Sequence, residues 1–484
     1  MTAPTILTVG QSQTIPDTTF DDLQLRRLLS DKTIRILSHP AETPDGKKNE
    51  IIARQEIFRL MRDPDKYARI KACYVELKEY ERAVQLWRAS AVAVEKRYLF
   101  SEALAGFASI CKTLGTLSEV GDSTRFAALS AYWREILSAQ GALEADIASL
   151  KAILARAGKC NLSMGERYFL TRDDVPQTVY DELVTAAEEL GLDIPERKNT
   201  RIRLNDAISN AVAELYPDEM AQCDSYIEKY KDLPFDAPSS YIAEFDFFYS
   251  VLALCEKADE KGIPLCYPTV ADKRQYLAKK VYDISLFIKD ADRIVPNDTY
   301  FSAEEPFFFI TGANGGGKTT YLRASGINLI LFLGGCPIFA EDAEIYPFTS
   351  VLTHFPADER FTSGGRLEEE QMRVNYLLNT CNADTFIVFN ETYSGTDDKM
   401  GCEMTLDTAS KIKEKQTFGL FVTHFHEVRA GGWPMLNTVI EEDEYHRRTF
   451  RIVRDFGITS SFADDILRKY RLDRVSLSER GVGA

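Results

Sequence analysis

The run Gly312-Ala313-Asn314-Gly315-Gly316-Gly317-Lys318-Thr319 fits G-x-x-x-x-G-K-[ST] at every specified position. It follows the apolar run Phe307–Thr311 and precedes a helical run over residues 320–333, the strand–loop–helix setting this motif requires. Glycines let backbone N–H groups curl around phosphate oxygens without side-chain clash. The following helix points its positive dipole end at the same anion. Lys318 then reaches the outer phosphates, and Thr319 offers a hydroxyl to Mg²⁺. A plain glycine-rich turn is the competing reading, but it requires neither the four specified positions nor the two flanks.

Three further segments belong to this chemistry. The apolar run over residues 386–389 ends in Asn390-Glu391, where a nucleotide hydrolase usually carries two acids. The first acid holds Mg²⁺ through water, and the second orients or deprotonates the attacking water. Asn390 accepts hydrogen bonds from metal-bound water but brings no charge, so Mg²⁺ affinity and turnover are expected to suffer. Glu391 remains as candidate base; its competing reading is a surface acid at a strand end. The run over residues 420–423 leads to His424, a candidate γ-phosphate sensor or simply a structural histidine. Finally, Ser363-Gly364-Gly365 stands before a helical run that begins with acidic residues, a second anion-binding start that also fits an ordinary N-cap turn.

The elements that position these residues form two textures. Residues 1 to about 290 read as mostly helical. Residues 79–99 carry an apolar stripe at i+3/i+4 steps, residues 178–190 have a Thr178/Asp181 start and a Gly191 stop, and residues 236–262 read as one long helix. Beyond residue 290, short β-rich runs alternate with helical ones, which implies a mostly parallel sheet covered by helices. No internal repeat or long low-complexity linker appears.

Composition sets the outer limits. The chain has 484 residues, 45% hydrophobic and 27% charged, which excludes wholesale disorder. With 58 basic and 74 acidic residues the net charge is −16, which argues against a wholly basic nucleic-acid surface but not against a local one. Eight arginines and lysines between Arg447 and Arg474 are a candidate local patch; a solvated surface is the competing reading. The nine cysteines are scattered with no C-x-x-C, as expected of reduced thiols in a cytoplasmic protein. No apolar stretch is long enough to span a bilayer, so no membrane partner is expected.

Taken together, the motifs resemble the MutS family of mismatch-repair ATPases, within the wider ABC-type ATPases. The resemblance runs from Val295-Pro296-Asn297-Asp298 through the glycine loop and Tyr321-Leu322-Arg323 to Phe339-Ala340. It continues through Asp358-Glu359, Ser363-Gly364-Gly365 and Glu370, then Asn390-Glu391 and Ser394-Gly395-Thr396. Thr423-His424-Phe425-His426-Glu427 follows, and it ends near Phe456-Gly457-Ile458. Residues 20–23, 37–40, 51–60 and 241–268 resemble the family's helical core, or lever, more loosely.

This resemblance implies an α/β P-loop (ABC-type) ATPase domain over residues 271–484, with a helical tail, and a mostly α-helical core/lever domain over residues 1–270 with the clamp reduced or absent. It implies a short member that lacks the mismatch-reading and connector domains. Gly312, Ala313, Asn314, Gly315, Gly316, Gly317, Lys318, Thr319 and Thr320 bind the phosphates of ATP. Thr319 and Asn390 hold Mg²⁺ through water, and Glu391 and His424 are catalytic. Ser363, Gly364 and Gly365 complete a partner's site, so a homodimer or MutS-like heterodimer through the ATPase domains is implied, with residues 394–397 crossing its interface. DNA is the family's remote ligand. Two departures stand out: Asn390 in place of aspartate, and Lys289-Asp290-Ala291-Asp292 in place of the usual Arg-His-Pro opening on the adenine side. The expected function is an ATP-driven switch acting on DNA. An ATP-binding regulatory or scaffold protein with slow or no hydrolysis is the alternative, and a small-molecule kinase leaves Ser363-Gly364-Gly365 and His424 unexplained.

Overall fold

The strand Phe307–Thr311 is buried at all five positions, as a strand covered on both faces must be. It lies third in a six-stranded sheet whose spatial order is Arg448–Arg454, Met435–Ile440, Phe307–Thr311, Phe418–Val422, Thr385–Asn390 and Ser350–His354. Every neighbouring pair is parallel except the first, which is antiparallel, so the expected mostly parallel sheet is present. The computed structural model describes residues 3–40, 44–157, 160–164, 168–172, 206–289, 291, 294–356, 366–440 and 448–454. The chain is mixed α/β, and it divides into two compact units: residues 1–6 with 60–245, and residues 7–59 with 246–484.

In the second unit, the helix Lys318–Leu333 packs on the six-stranded sheet and is buried almost all round, with Leu322, Ile327, Leu329, Ile330, Leu331 and Phe332 fully enclosed. Phe309, Phe389 and Phe421 pack ring against ring within the sheet's core, the last two stacked at 4.9 Å. A second sheet joins Thr269–Val270, Asp342–Ile345, Tyr276–Val281 and Asn297–Phe301, with two of its three pairings antiparallel. Residues 269–281 therefore include strands inside a stretch expected to be helical. Their period-2 signal is short, and only pairing with residues 297–301 and 342–345 stabilises it.

The segment of residues 7–59 joins this unit, although it precedes residue 60 in sequence. Arg54, on the helix Pro44–Met61, shows why. Its guanidinium is 1% exposed and is met by Glu50 at 2.7 Å, by the carbonyl of Gly334 at 3.1 Å and by that of Thr8 at 2.7 Å. Gly334 is the C-cap of Lys318–Leu333, so Arg54 satisfies a carbonyl at that helix's end. An uncompensated buried charge costs about 3–5 kcal/mol, and these partners are the condition for burying Arg54 at all.

The first unit is helical, with Pro64–Ala89, Ala93–Gly115, Thr124–Ser138, Leu143–Ala157, Asp206–Leu215 and Pro217–Tyr230, plus an antiparallel hairpin of Cys160–Met164 with Tyr168–Arg172. Residues 79–99 are not one helix. The backbone turns extended at Ser90 and Val92, ψ 124° and 116°, and the next helix folds back. Contacts pair Glu76 with Ser109, Tyr80 with Phe107 and Trp87 with Phe100, converging on the turn. Both helices present their apolar faces to one aromatic core, so the stripe runs unbroken through a break that periodicity alone cannot detect. The helix expected over residues 236–262 is shorter, Ser240–Glu260, followed by Gly262 at φ +65°. The helix expected over residues 178–190 lies outside the described residues.

Candidate phosphate-binding cleft

The glycine loop occupies the C-terminal end of Phe307–Thr311, at the centre of the six-stranded sheet. Gly312, Gly315 and Gly317 have φ of +113°, +71° and +98°, where side chains are rarely accommodated. Gly312 is further fixed by its neighbour: a Cβ there would stand 2.3 Å from Thr438 Oγ1. That hydroxyl accepts from the Ala313 N–H at 3.2 Å. Thr311 Oγ1 donates to Asn437 Oδ1 at 2.5 Å, so the next strand grips both sides of the loop's entry.

Lys318 is 4% exposed, and its ammonium donates to the Gly312 carbonyl at 2.7 Å and to Asn314 Oδ1 at 3.2 Å. The loop thus folds around its own lysine. Burial pushes the Lys318 pKa below the ordinary lysine value, with the Glu391 carboxylate acting in the opposite direction. Thr319 Oγ1 donates to Asn390 Oδ1 at 3.0 Å, joining the helix start to the end of Thr385–Asn390. Glu391 follows at φ +49°, its N–H bonded to the Val422 carbonyl at 2.8 Å.

Asn314, Gly315, Gly317, Lys318, Thr319, Thr320, Glu391 and Phe450 line a cleft of about 170 Å³. The structure thus brings Glu391 to the glycine loop and Asn390 to Thr319. His424, two residues past Phe418–Val422, is half-buried with its ring 4.2 Å from that of Phe425, and it does not line the cleft. Asp397 N-caps the helix Asp398–Glu414 through Lys399 and Met400, giving the segment 394–397 a local structural task. Ser363, Gly364 and Gly365 lie outside the described residues, as do Asp290 and Asp292 on the adenine side and most of the basic stretch 447–474.

Sequence reasoning missed Thr438, Asn437 and Phe450, which reach the loop from other strands and belong to no local motif. Phe450 is 42% exposed at φ +59°, with its carbonyl held by Asn297 Nδ2 at 3.1 Å while Asn297 Oδ1 accepts from Ile452 at 2.7 Å. A Cβ on Gly315 would stand 2.9 Å from the Arg448 guanidinium, so the strand Arg448–Arg454 covers the loop's outer side. The only advance sign was Asn297, within the Val295-Pro296-Asn297-Asp298 run.

No group of three or more His, Cys, Asp or Glu residues suited to a metal ion occurs among the described residues. The pairing of Thr319 with Asn390 beside Glu391 fits Mg²⁺ all the same, because that ion keeps most of its waters and takes one or two protein oxygens with substrate phosphates. Cys73, Cys111, Cys223, Cys255, Cys266, Cys336, Cys381 and Cys402 are free thiols, and no described helix is long and apolar enough to cross a membrane.

A glycine loop, a buried lysine and a carboxylate at the C-terminal ends of parallel strands define an anion-directed cleft on a mixed α/β sheet. Residues 308–440, which contain nearly all of it, match the family model MutS domain V, and with the relatives that follow this supports a MutS-family member. It is 26% identical over 255 residues to the DNA mismatch repair protein MutS of Solibacter usitatus, covering 51% of this chain and 28% of that protein. It is 25% identical over 257 residues to the DNA mismatch repair protein spellchecker 1 of Drosophila melanogaster, covering 48% and 28% respectively. With the DNA mismatch repair protein MSH2 of Saccharomyces cerevisiae the identity is 29% over 168 residues, 34% of this chain and 17% of that protein. The chain therefore spans less than a third of the length of each of these relatives. The family resemblance carried by the motif order is borne out.

Proposed function

We propose that this chain is an ATP-driven conformational switch of the MutS kind, with an ABC-type P-loop ATPase domain that acts on DNA in a mismatch-repair-related process. The observation that carries this reading is the meeting of Lys318, Thr319 and Glu391 in one cleft on the glycine loop. Lys318 exchanges the Gly312 and Asn314 oxygens for phosphate oxygens, and the loop's N–H groups take the rest. Thr319 and Asn390 hold Mg²⁺, which when bound neutralises charge on the phosphates. Glu391 orients the attacking water and accepts its proton. Ser363, Gly364 and Gly365 complete the site of a second subunit, so ATP closes a homodimer or a MutS-like heterodimer, and His424 senses the γ-phosphate from beside the cleft. The binding energy must differ between open and closed states for this closure to do anything at a remote DNA site.

Asn390 favours a second reading, an ATP-binding regulatory or scaffold protein that hydrolyses slowly and contacts another protein. Its amide already accepts from Thr319, and an aspartate keeps that acceptor while adding a charge. Asn390→Asp is therefore expected to lower the Mg²⁺ concentration needed for half-maximal ATPase activity by about an order of magnitude. A Mg²⁺ titration checks this, and an unchanged midpoint shows that the amide suffices.

DNA is the test that separates the two functions. A gel-shift titration with duplex, branched and mismatched DNA, with and without ATP, is expected to give binding at low salt that weakens steeply as salt rises. A lack of any shift at low salt removes DNA as the ligand and leaves the scaffold reading.

A further inference from the structure

Behind Glu391 lies a contact that none of the chemistry above uses. His354 ends the edge strand Ser350–His354, opposite Phe389, and is 0% exposed. Its Nδ1 shares a 2.9 Å hydrogen bond with the hydroxyl of Thr392, which is also fully buried. Its Nε2 is sealed from solvent with no hydrogen-bond partner among the described residues. Burial, then the nearby Arg373 guanidinium, push the imidazole down to about 3, so the ring is neutral at neutral pH. A neutral imidazole carries one donor and one acceptor, and burying it with one of them unused is unfavourable. A phenylalanine would pack beside Phe389, whose ring is 6.2 Å away, without that penalty. The bond to Thr392 is what distinguishes histidine from phenylalanine at this place.

Thr392 sits inside a strained turn. Glu391 before it and Tyr393 after it have φ of +49° and +66°, conformations that persist for side-chain-bearing residues only when the surroundings over-determine them. The Glu391 N–H is tied to Val422, on one neighbouring strand of Thr385–Asn390, and the Ser394 N–H closes the turn onto the Glu391 carbonyl at 3.3 Å. The Thr392 hydroxyl ties the same turn to the strand on the other side. Glu391 is therefore held from both flanks of the strand that carries it.

We propose that His354 is a positioning residue that, through Thr392, holds the left-handed turn so that the Glu391 carboxylate faces the phosphate cleft. The inference rests on the reading of Glu391 as the base of ATP hydrolysis. It concerns geometry at Glu391 alone, since the glycine loop and Lys318 have their own contacts.

Thr392→Val keeps the volume and deletes the hydroxyl, and His354→Phe keeps the ring and deletes Nδ1. Each is compared with wild type and Glu391→Gln for single-turnover ATP hydrolysis, for the Kd of a fluorescent ATP analogue and for Tm. Both variants are expected to lose about 10- to 100-fold in hydrolysis rate, the scale of a displaced catalytic group. Their Kd is expected to stay within about twofold of wild type. His354→Phe is expected to melt no lower than wild type, and His354→Asn, whose amide nitrogen stands near the place of Nδ1, is expected to recover most of the rate. If Glu391→Gln is inactive while both variants hydrolyse ATP at the wild-type rate, the positioning role is wrong and the reading of Glu391 stands. A lowered Tm with an unchanged rate likewise marks the contact as packing alone. If Glu391→Gln itself hydrolyses at the wild-type rate, the base assignment fails and this inference with it.

Discussion

Lys318→Ala is expected to weaken ATP binding by at least about thirtyfold, measured as the Kd of a fluorescent ATP analogue at equilibrium. Truncating one partner of a buried, hydrogen-bonded charge contact costs about 2–5 kcal/mol, and each 1.4 kcal/mol is tenfold in Kd. Lys318 meets that description: it is 4% exposed and held by Gly312 O and Asn314 Oδ1. Alanine removes the cation that faces the phosphates and leaves the Gly312 carbonyl without its donor. A Kd equal to wild type would sink the assignment of this cleft to phosphate. The direction with pH follows from burial, which lowers the Lys318 pKa. The cation is the form that binds phosphate. Affinity is therefore retained below the lowered pKa and falls as pH rises through it, at a pH where an exposed lysine is still charged.

Glu391→Gln is expected to reduce the rate of ATP hydrolysis about 10²- to 10⁴-fold while leaving the Kd for ATP nearly unchanged. The amide keeps the side chain's shape and its place in the cleft, and the backbone bond from Glu391 N–H to Val422 is untouched. What is lost is the ability to accept a proton from water. A loss confined to the rate, with binding retained, is the mark of a group that acts in the transition state. A variant that hydrolyses as fast as wild type excludes Glu391 as the base. If wild type itself shows no measurable turnover and Asn390→Asp restores it, the scaffold reading of the natural chain is favoured, with the missing charge as the cause.

Much of the cleft was legible because its residues are consecutive. Gly312 to Thr319 form a motif whose spacing is dictated by one loop and one helix start, so local sequence carries its shape. The flanking strands 307–311, 385–390 and 418–422 were legible for a related reason: strands buried on both faces must be apolar throughout. The turn at Ser90 and the second, partly antiparallel sheet were not. An amphipathic stripe reports which face is buried, not whether the chain reverses, and two-residue strands such as Thr269–Val270 exist only through their partners. His424 shows the reverse case: its place after a strand was read correctly, but position along the chain did not determine whether it lines the cleft.

The net charge of −16 now bears on a narrower question. Charge summed over 484 residues limits long-range attraction to DNA, yet it says nothing about a cleft whose candidate anion-binding groups are one ammonium and a loop of N–H donors. By itself the sequence determined the glycine loop, the strand–loop–helix around it, the presence of Glu391 after a strand and the resemblance to the MutS family. All of these depend on residues close in sequence or on the order of motifs. Tertiary structure alone decided that residues 7–59 join residues 246–484, that Arg54 meets the end of the helix Lys318–Leu333, that Thr438 and Phe450 shape the glycine loop, and that His354 holds Thr392 behind Glu391. Each of these joins residues dozens to hundreds of positions apart. Such contacts are set by sheet order and by which buried polar group finds a partner, and no local pattern of residues records either.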